Sequence, residues 1–338
     1  MKKIIKSFMS MFIFVFIFSI NTIKSLQGIT IPIAMATDNN YAYPTIVAMT
    51  SILENKNSET KIDFYIMLSG DFKQPVKDKI ESLEKKYGKC SISFINMEED
   101  LKDLHVSERF PTAIYYRFRL PDLLPNLDKI LYMDVDTITQ HDLSSLFNID
   151  IDNYYFAGIA DKNAAGICGP LFGKGHKNKD ILIKIFGGEK NLTDKYVNSG
   201  ILLLNLKKMR KDESAEKLIN FVQFYKPTFP DQDALNYVCH NKIKNIDKTF
   251  NCSPYEIKNI KDQTIIHYLG NVKPWNDKNS RHADIWWNYA KKTGLINEIQ
   301  KKFSDKSKRH SKKKLVNILI DVLLSILTRN KKLSSVKP

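Results

Sequence analysis

Cysteine is scarce in this chain. The four in 338 residues, Cys90, Cys168, Cys239 and Cys252, are scattered and imply no disulfide framework. No internal repeat and no long low-complexity linker is present, which excludes a solenoid or a string of tethered modules. Acidic residues are missing from residues 1–30, where Lys2, Lys3, Lys6 and Lys24 give a local charge of +4. Residues 301–338 carry twelve basic and two acidic side chains, a further +10. Of the overall +15, only +1 remains for residues 31–300. A near-neutral body with basic ends points to an anionic membrane surface and not to a nucleic-acid groove.

The hydrophobic content of 43% supplies ample material for a core. Strand patterns over Ile29–Met35, Lys61–Leu68 and Ser91–Ile95 alternate with helical patterns over Tyr43–Leu53 and Pro75–Lys86. A helix carrying Arg117, a strand Lys129–Met133, and a second apolar strand from Asn198 to Leu206 follow. Such alternation predicts an α/β fold with a mainly parallel, mixed sheet flanked by helices.

Asp134-Val135-Asp136 follows the buried-strand pattern Lys129-Ile130-Leu131-Tyr132-Met133. Residues two apart on extended chain point the same way, so both carboxylates emerge on the sheet rim where ligands bind in open α/β folds. Two adjacent carboxylates repel unless a cation lies between them, and a hard divalent ion with room for phosphate oxygens fits. A pair of solvated loop acids capping the next helix is the alternative. Ala36-Thr37-Asp38-Asn39-Asn40-Tyr41 follows the first strand: its small residues admit a ligand, Asp and Asn can read a base and a ribose, and Tyr41 can stack. Thr264-Ile265-Ile266 forms another strand pattern leading into His267-Tyr268-Leu269-Gly270-Asn271-Val272-Lys273-Pro274-Trp275. There an imidazole can ligate metal, a glycine permits close approach, and a lysine suits phosphate.

In this order, with Tyr116-Arg117-Phe118-Arg119-Leu120, Asn198-Ser199-Gly200-Ile201-Leu202-Leu203-Leu204-Asn205-Leu206 and Asp231-Gln232-Asp233-Ala234-Leu235-Asn236, these segments resemble glycosyltransferase family 8. The similarity is greatest to its bacterial lipopolysaccharide galactosyl- and glucosyltransferases, and it runs from about Ile31 to Trp275. It implies a GT-A-type, Rossmann-like fold and transfer of galactose or glucose, with retention, from a UDP-hexose donor to a saccharide or glycolipid acceptor. It implies that Asp134, Asp136 and His267 hold the metal. Ala36, Thr37, Asp38, Asn40, Tyr41 and Val135 would bind the nucleotide, with Gly270 and Lys273 on its diphosphate. Arg117, Asp161, Asn198, Ser199, Asp231 and Gln232 would surround the donor sugar, Gln232 and Asp231 as the catalytic pair. Ser199 stands where an Ala is common, and the donor loop lacks a second acid before its final Asn.

Two carboxylates and an imidazole form a mixed oxygen–nitrogen set, which suits Mn2+ better than Mg2+. Gln232 is an amide and a poor nucleophile, which favours front-face displacement with Gln232 as a stabiliser. A carboxylate of Asp231-Gln232-Asp233 could act as nucleophile, orient sugar hydroxyls, or cap a helix starting at Ala234. Two other classes compete. A phosphatase of the haloacid-dehalogenase type needs Asp-x-Asp-x-Thr/Val near its first strand, whereas here Ile138 holds the fifth place and the motif lies mid-chain. A membrane-tethered sugar-nucleotide binding protein without transferase activity is the other.

The expected domains are a hydrophobic signal or anchor segment (1–27), a catalytic domain (28–300) and a basic amphipathic tail (301–338). Leu315 to Thr328 aligns Asn317, Asp321, Ser325 and Thr328 in one polar stripe. At 1.5 Å per residue it spans about 21 Å, too short to cross a bilayer and suited to lying in the interface. Phe8 to Ile20 has signal-peptide length but no Ala-x-Ala site follows. The expectation is membrane association at the cytosolic face of a bacterial inner membrane. Export or a Golgi type II placement remains open, the latter with glycosylation at Asn191-Leu192-Thr193 and Asn251-Cys252-Ser253.

Overall fold

The computed structural model describes residues 28–98, 101, 104, 111–161 and 179–304. The segment 1–27, the helix Leu315–Thr328 and Cys168 lie outside the described residues. The chain falls into two compact units, one ending at Tyr268 and one beginning at Leu269.

In the first unit, strands β1 (Thr30–Thr37), β2 (Lys61–Leu68), β3 (Cys90–Asn96), β4 (Lys129–Met133), β6 (Phe156–Gly158), β7 (Ile201–Asn205) and β8 (Ile243–Asn245) build one sheet. Its order is β3-β2-β1-β4-β7-β6-β8. β3, β2, β1 and β4 run parallel, β7 is antiparallel to both β4 and β6, and β8 is parallel to β6. The mainly parallel mixed sheet expected from the alternation is therefore present. β1 buries five successive residues, Ile31 to Met35, as a strand covered on both faces must.

Helix α1 (Ala42–Asn55) follows β1, and α2 (Gln74–Tyr87) follows β2. α2 has Pro75 in its first turn, where a missing N–H costs nothing, and stops at Gly88, whose φ of 59° few other residues adopt cheaply. Helices α3 (Ser214–Tyr225) and α4 (Pro230–Cys239) pack with the sheet around Tyr115, Phe118, Tyr132, Leu204, Leu218 and Leu235.

Three local expectations shift. Arg117 sits on a 3-10 helix, Thr112–Arg119. The apolar run from Asn198 becomes a strand only at Ile201, because the Asn198 side chain accepts the Gly200 N–H at 2.9 Å and closes a turn first. The helix expected from Ala234 starts at Pro230, with Pro in its first turn and the Phe229 N–H donating to Asp233 Oδ2 at 3.1 Å.

Two register facts place the site. Met133 pairs with Ile201, so the residue after β4 meets the turn before β7, and the Asp134 N–H donates to Gly200 O at 2.7 Å. A separate two-stranded sheet joins β5 (Thr137–Thr139) to β9 (Ile265–His267), pairing Thr137 with His267. It sets the end of β9 beside the Asp134–Asp136 segment.

In the second unit, helix α5 (Ala283–Lys292) buries Trp286 against Trp275, ring centres 5.3 Å apart. Trp275 also packs on Phe303 at 6.0 Å. A last helical stretch, residues 296–304, runs through position 300 and buries Ile299 and Phe303.

Candidate active site

Asp134, Asp136 and His267 converge: one ligand atom from each lies within 4.8 Å of the others. His267 Nε2 is 3.1 Å from Asp136 Oδ1 and 3.8 Å from Asp134 Oδ2. The ring is 3% exposed while the carboxylates are 28% and 15% exposed, so the donor atoms open toward solvent from a fixed base. The donor set fits a divalent cation: two carboxylate oxygens and one imidazole nitrogen, with an open side for further oxygens. Gly200 is required here. A Cβ on it would lie 2.7 Å from Asp134 Oδ2 and 2.9 Å from His267 Nδ1, closer than real Cβ atoms come.

Arg117 ties the metal side to the acids of α4. Its Nη2 is 3.0 Å from Asp134 Oδ1 and its Nη1 is 3.1 Å from Asp231 Oδ2. Nη1 also donates to the Ser199 carbonyl, Nε donates to Ile114 O at 3.0 Å, and the guanidinium lies over the Tyr132 ring at 4.1 Å. Burial works against the Arg117 charge, but Tyr132, Asp231 and Asp134 outweigh it and hold the guanidinium protonated. Burial pushes the Asp231 carboxyl above the usual carboxylate range, even with Arg117 pulling the other way. Of the two acids at the start of α4, Asp233 takes the capping role by accepting the Phe229 N–H.

The sugar-side candidates form an amide network. Asn198 Nδ2 donates to Gln232 Oε1 at 3.1 Å and to Asp161 Oδ2 at 3.2 Å, and the Ser199 N–H donates to Gln232 Oε1 at 3.1 Å. Gln232 Nε2 approaches Asp161 Oδ2 at 3.4 Å. Asn251 joins this network to the histidine: its Nδ2 donates to Asn198 Oδ1 at 2.9 Å, and its Oδ1 faces His267 Nδ1 at 2.8 Å. Asn251 is 8% exposed and bonded at both ends of its amide, so the glycosylation at Asn251-Cys252-Ser253 that a Golgi placement would allow is incompatible with the folded chain.

At the end of β1, Ala36 and Thr37 lead into Asp38, whose Oδ1 accepts the N–H groups of Asn40 (2.8 Å) and Tyr41 (2.9 Å). That turn launches α1. Burial first, then Asp136, Asp38 and Asp134, push the Tyr41 phenol up to about 12. Tyr41 and Val135 thus share the first unit's rim with the acids. Gly270 (φ 80°) and Lys273 belong to the second unit, where Lys273 O accepts the N–H groups of Asn276 and Asp277. The sequence pattern gives Asn251 no part in this site. Its only visible signal was the Asn-Cys-Ser triplet, which points to different chemistry.

A family model described as glycosyl transferase family 8 matches residues 32–279. A putative glycosyltransferase of Haemophilus influenzae is 32% identical over 267 residues, 74% of each chain. A lipopolysaccharide 1,2-glucosyltransferase of Escherichia coli is 30% identical over 77% of this chain and 75% of its own. The crystal structure of the galactosyltransferase LgtC, in complex with donor and acceptor sugar analogs, has a TM-score of 0.64 at 23% identity, covering 78% of this chain and 96% of that one. With a family model spanning most of the chain, a relative of this similarity and a fold shared with LgtC, the chain belongs to glycosyltransferase family 8 and is a glycosyltransferase.

Proposed function

We propose that the chain is a metal-dependent, retaining hexosyltransferase that moves galactose or glucose from a UDP-sugar to a saccharide acceptor in the synthesis of lipopolysaccharide or another cell-surface glycan. The observation that carries this reading is the convergence of Asp134, Asp136 and His267 at the end of β4, linked by Arg117 to Asp231. The acceptor class is supported by the name of the Escherichia coli relative.

In this reading Asp134, Asp136 and His267 hold Mn2+, with Mg2+ the weaker occupant. The bound ion supplies Lewis-acid charge to the departing diphosphate. Asp38 and Asn40 read the uracil and ribose, Tyr41 stacks on the base, and Ala36, Thr37 and Val135 allow backbone approach. Gly270 and Lys273 take the diphosphate, where a fixed cation favours developing negative charge. Arg117 holds Asp134 and Asp231 in place, while Asp161, Asn198 and Ser199 orient sugar hydroxyls. Gln232 is an amide whose Oε1 already accepts from Asn198 and Ser199, and Asp231 is paired with Arg117, which supports a role for both other than nucleophile. Front-face displacement, with the Gln232 amide stabilising positive character at the reacting carbon, follows. Residues 28–300 form the catalytic domain on this proposal, and the basic ends hold it at the cytosolic face of a bacterial membrane. Among the described residues no helix is long and apolar enough to cross a membrane.

The test is transfer from UDP-galactose and UDP-glucose to oligosaccharide acceptors, with the product's anomeric configuration read by NMR. Retention, loss of activity on chelation, and recovery with Mn2+ above Mg2+ are expected. An inverted product overturns the mechanism, and full turnover in chelator overturns the metal.

A further inference from the structure

Hydrogen-bond direction around His267 is fixed by backbone groups that can only donate. The Gly200 N–H points at Asn198 Oδ1 (2.9 Å), so that atom is an acceptor, and the Asn198 amide nitrogen must face Gln232. The Ser199 N–H points at Gln232 Oε1 (3.1 Å), so the same polarity is demanded from the far end. With Asn198 Oδ1 accepting, the Asn251 atom 2.9 Å from it must be the donor nitrogen. Asn251 Oδ1 is thereby turned to His267 Nδ1 at 2.8 Å, and that nitrogen must carry the hydrogen. A neutral imidazole protonated on Nδ1 presents the bare Nε2 lone pair, and Nε2 is the atom beside Asp136 (3.1 Å) and Asp134 (3.8 Å).

We propose that Asn251 is a positioning residue of this site: it holds His267 as the Nδ1–H tautomer with Nε2 turned to Asp134 and Asp136, and it ties that ring through Asn198 to Gln232. Backbone pairing keeps it in place. The Cys252 N–H donates to Ile265 O at 3.0 Å and the His267 N–H donates to Cys252 O at 2.9 Å, so Asn251 rides beside β9. Both ends of the Asn251 amide are used, and the residue is 8% exposed. Partners of this kind orient a ligating imidazole and raise its basicity, and losing one weakens metal binding by about 10–100-fold. Its relevance to turnover rests on the metal reading above; the tautomer does not.

Two measurements separate these. In metal-free, 15N-labelled protein, long-range proton–nitrogen correlation should show a proton on His267 Nδ1. A His267 Nδ1 without a proton overturns the proposal whether or not metal is used. Titration with Mn2+ alone, followed by the free-ion EPR signal, should show Asn251→Ala binding about 10–100-fold more weakly than the unmodified protein. Asn251→Asp keeps an acceptor for the ring but has no N–H for Asn198. It should hold Mn2+ within a few-fold of normal yet lose kcat at saturating Mn2+, a split that general loosening would not give. Unchanged Mn2+ affinity in Asn251→Ala, or equal loss in both variants, overturns the positioning role. If Asn251→Ala fails to fold, the aspartate split and the tautomer spectrum decide. If the unmodified protein binds no Mn2+, the metal reading falls and the spectrum alone judges Asn251.

Discussion

Gly200→Ala adds one methyl group where the backbone runs close to Asp134 and His267, two of the proposed metal ligands. Gly200 needs no left-handed backbone for its conformation, so the effect comes from the added atom alone. The new Cβ would lie 2.7 Å from Asp134 Oδ2 and 2.9 Å from His267 Nδ1. Ordinary contact needs about 3.4–4 Å and His267 Cε1 lies closer still, so the ring and the Asp134 carboxylate must both retreat, by roughly 0.5–1.3 Å or more. His267 has little freedom, since it is 2% exposed and bonded through Nδ1 to Asn251. Asp134 is held by Arg117 and by the Tyr132 hydroxyl at 3.0 Å. Metal sites tolerate displacements of only about 0.2 Å, and a 1 Å misplacement costs about a hundredfold in rate. Mn2+ affinity should therefore drop at least tenfold, about 1.4 kcal/mol or more, and kcat/KM by roughly two orders of magnitude. Overpacking should cost about 1–3 kcal/mol of stability. Mn2+ titration, transfer kinetics and denaturant melts on the same preparation read all three. Near-normal Mn2+ affinity together with near-normal kcat/KM would refute the reasoning, because the turn could not then be pressing on the ligands.

The two aspartates should differ in what they cost. Asp136→Asn should abolish Mn2+-dependent transfer with little change in melting, whereas Asp134→Asn should also destabilise the fold by about 1–3 kcal/mol, because it leaves the buried Arg117 paired with Asp231 alone; equal melts for the two variants would contradict this. Tyr41→Ala should mainly raise the donor KM through lost stacking, and Gln232→Ala should mainly lower kcat; steady-state kinetics with varied donor would expose the reverse pattern. Truncation after Ser304, in protein lacking residues 1–27, should release the enzyme from anionic vesicles yet preserve donor hydrolysis. The cut spares Phe303, which packs on Trp275, and removes ten basic and two acidic side chains worth roughly 1 kcal/mol per basic residue that reaches the surface. Loss of hydrolysis would show that residues 305–338 belong to the fold.

The parts of the site that lie in one stretch of sequence were legible, because local pattern and local chemistry coincide there. The apolar run of β4 followed by Asp-x-Asp announces a strand end with two acids, and the structure has β4 ending at Met133. The start of α4 was also written in the sequence. Pro230 and Asp233 are N-terminal helix signals, and they place the start ahead of Ala234. What stayed hidden depends on register between distant segments. Asn251 meets His267 sixteen residues away and Asn198 fifty-three away, separations no periodicity records. That Gly200 must lack a side chain follows only from the antiparallel pairing of β4 with β7 and of β5 with β9.

These hidden contacts share one origin, the turn Asn198-Ser199-Gly200. Asn198 orients Gln232 and Asn251, the Ser199 backbone serves Gln232 through its N–H and Arg117 through its carbonyl, and the Gly200 carbonyl holds the Asp134 N–H. The Ser199 side chain adds a hydrogen bond to Asp231, while its Oγ reaches Gln232 Oε1 only at 3.5 Å. The same three peptide units thus set the spacing of the acids and histidine on one side and the pose of the amides on the other. A change that moves this backbone must disturb both at once. Coupled loss of Mn2+ affinity and kcat is therefore the signature of the turn, and an isolated change in donor KM is the signature of the Asp38–Tyr41 loop.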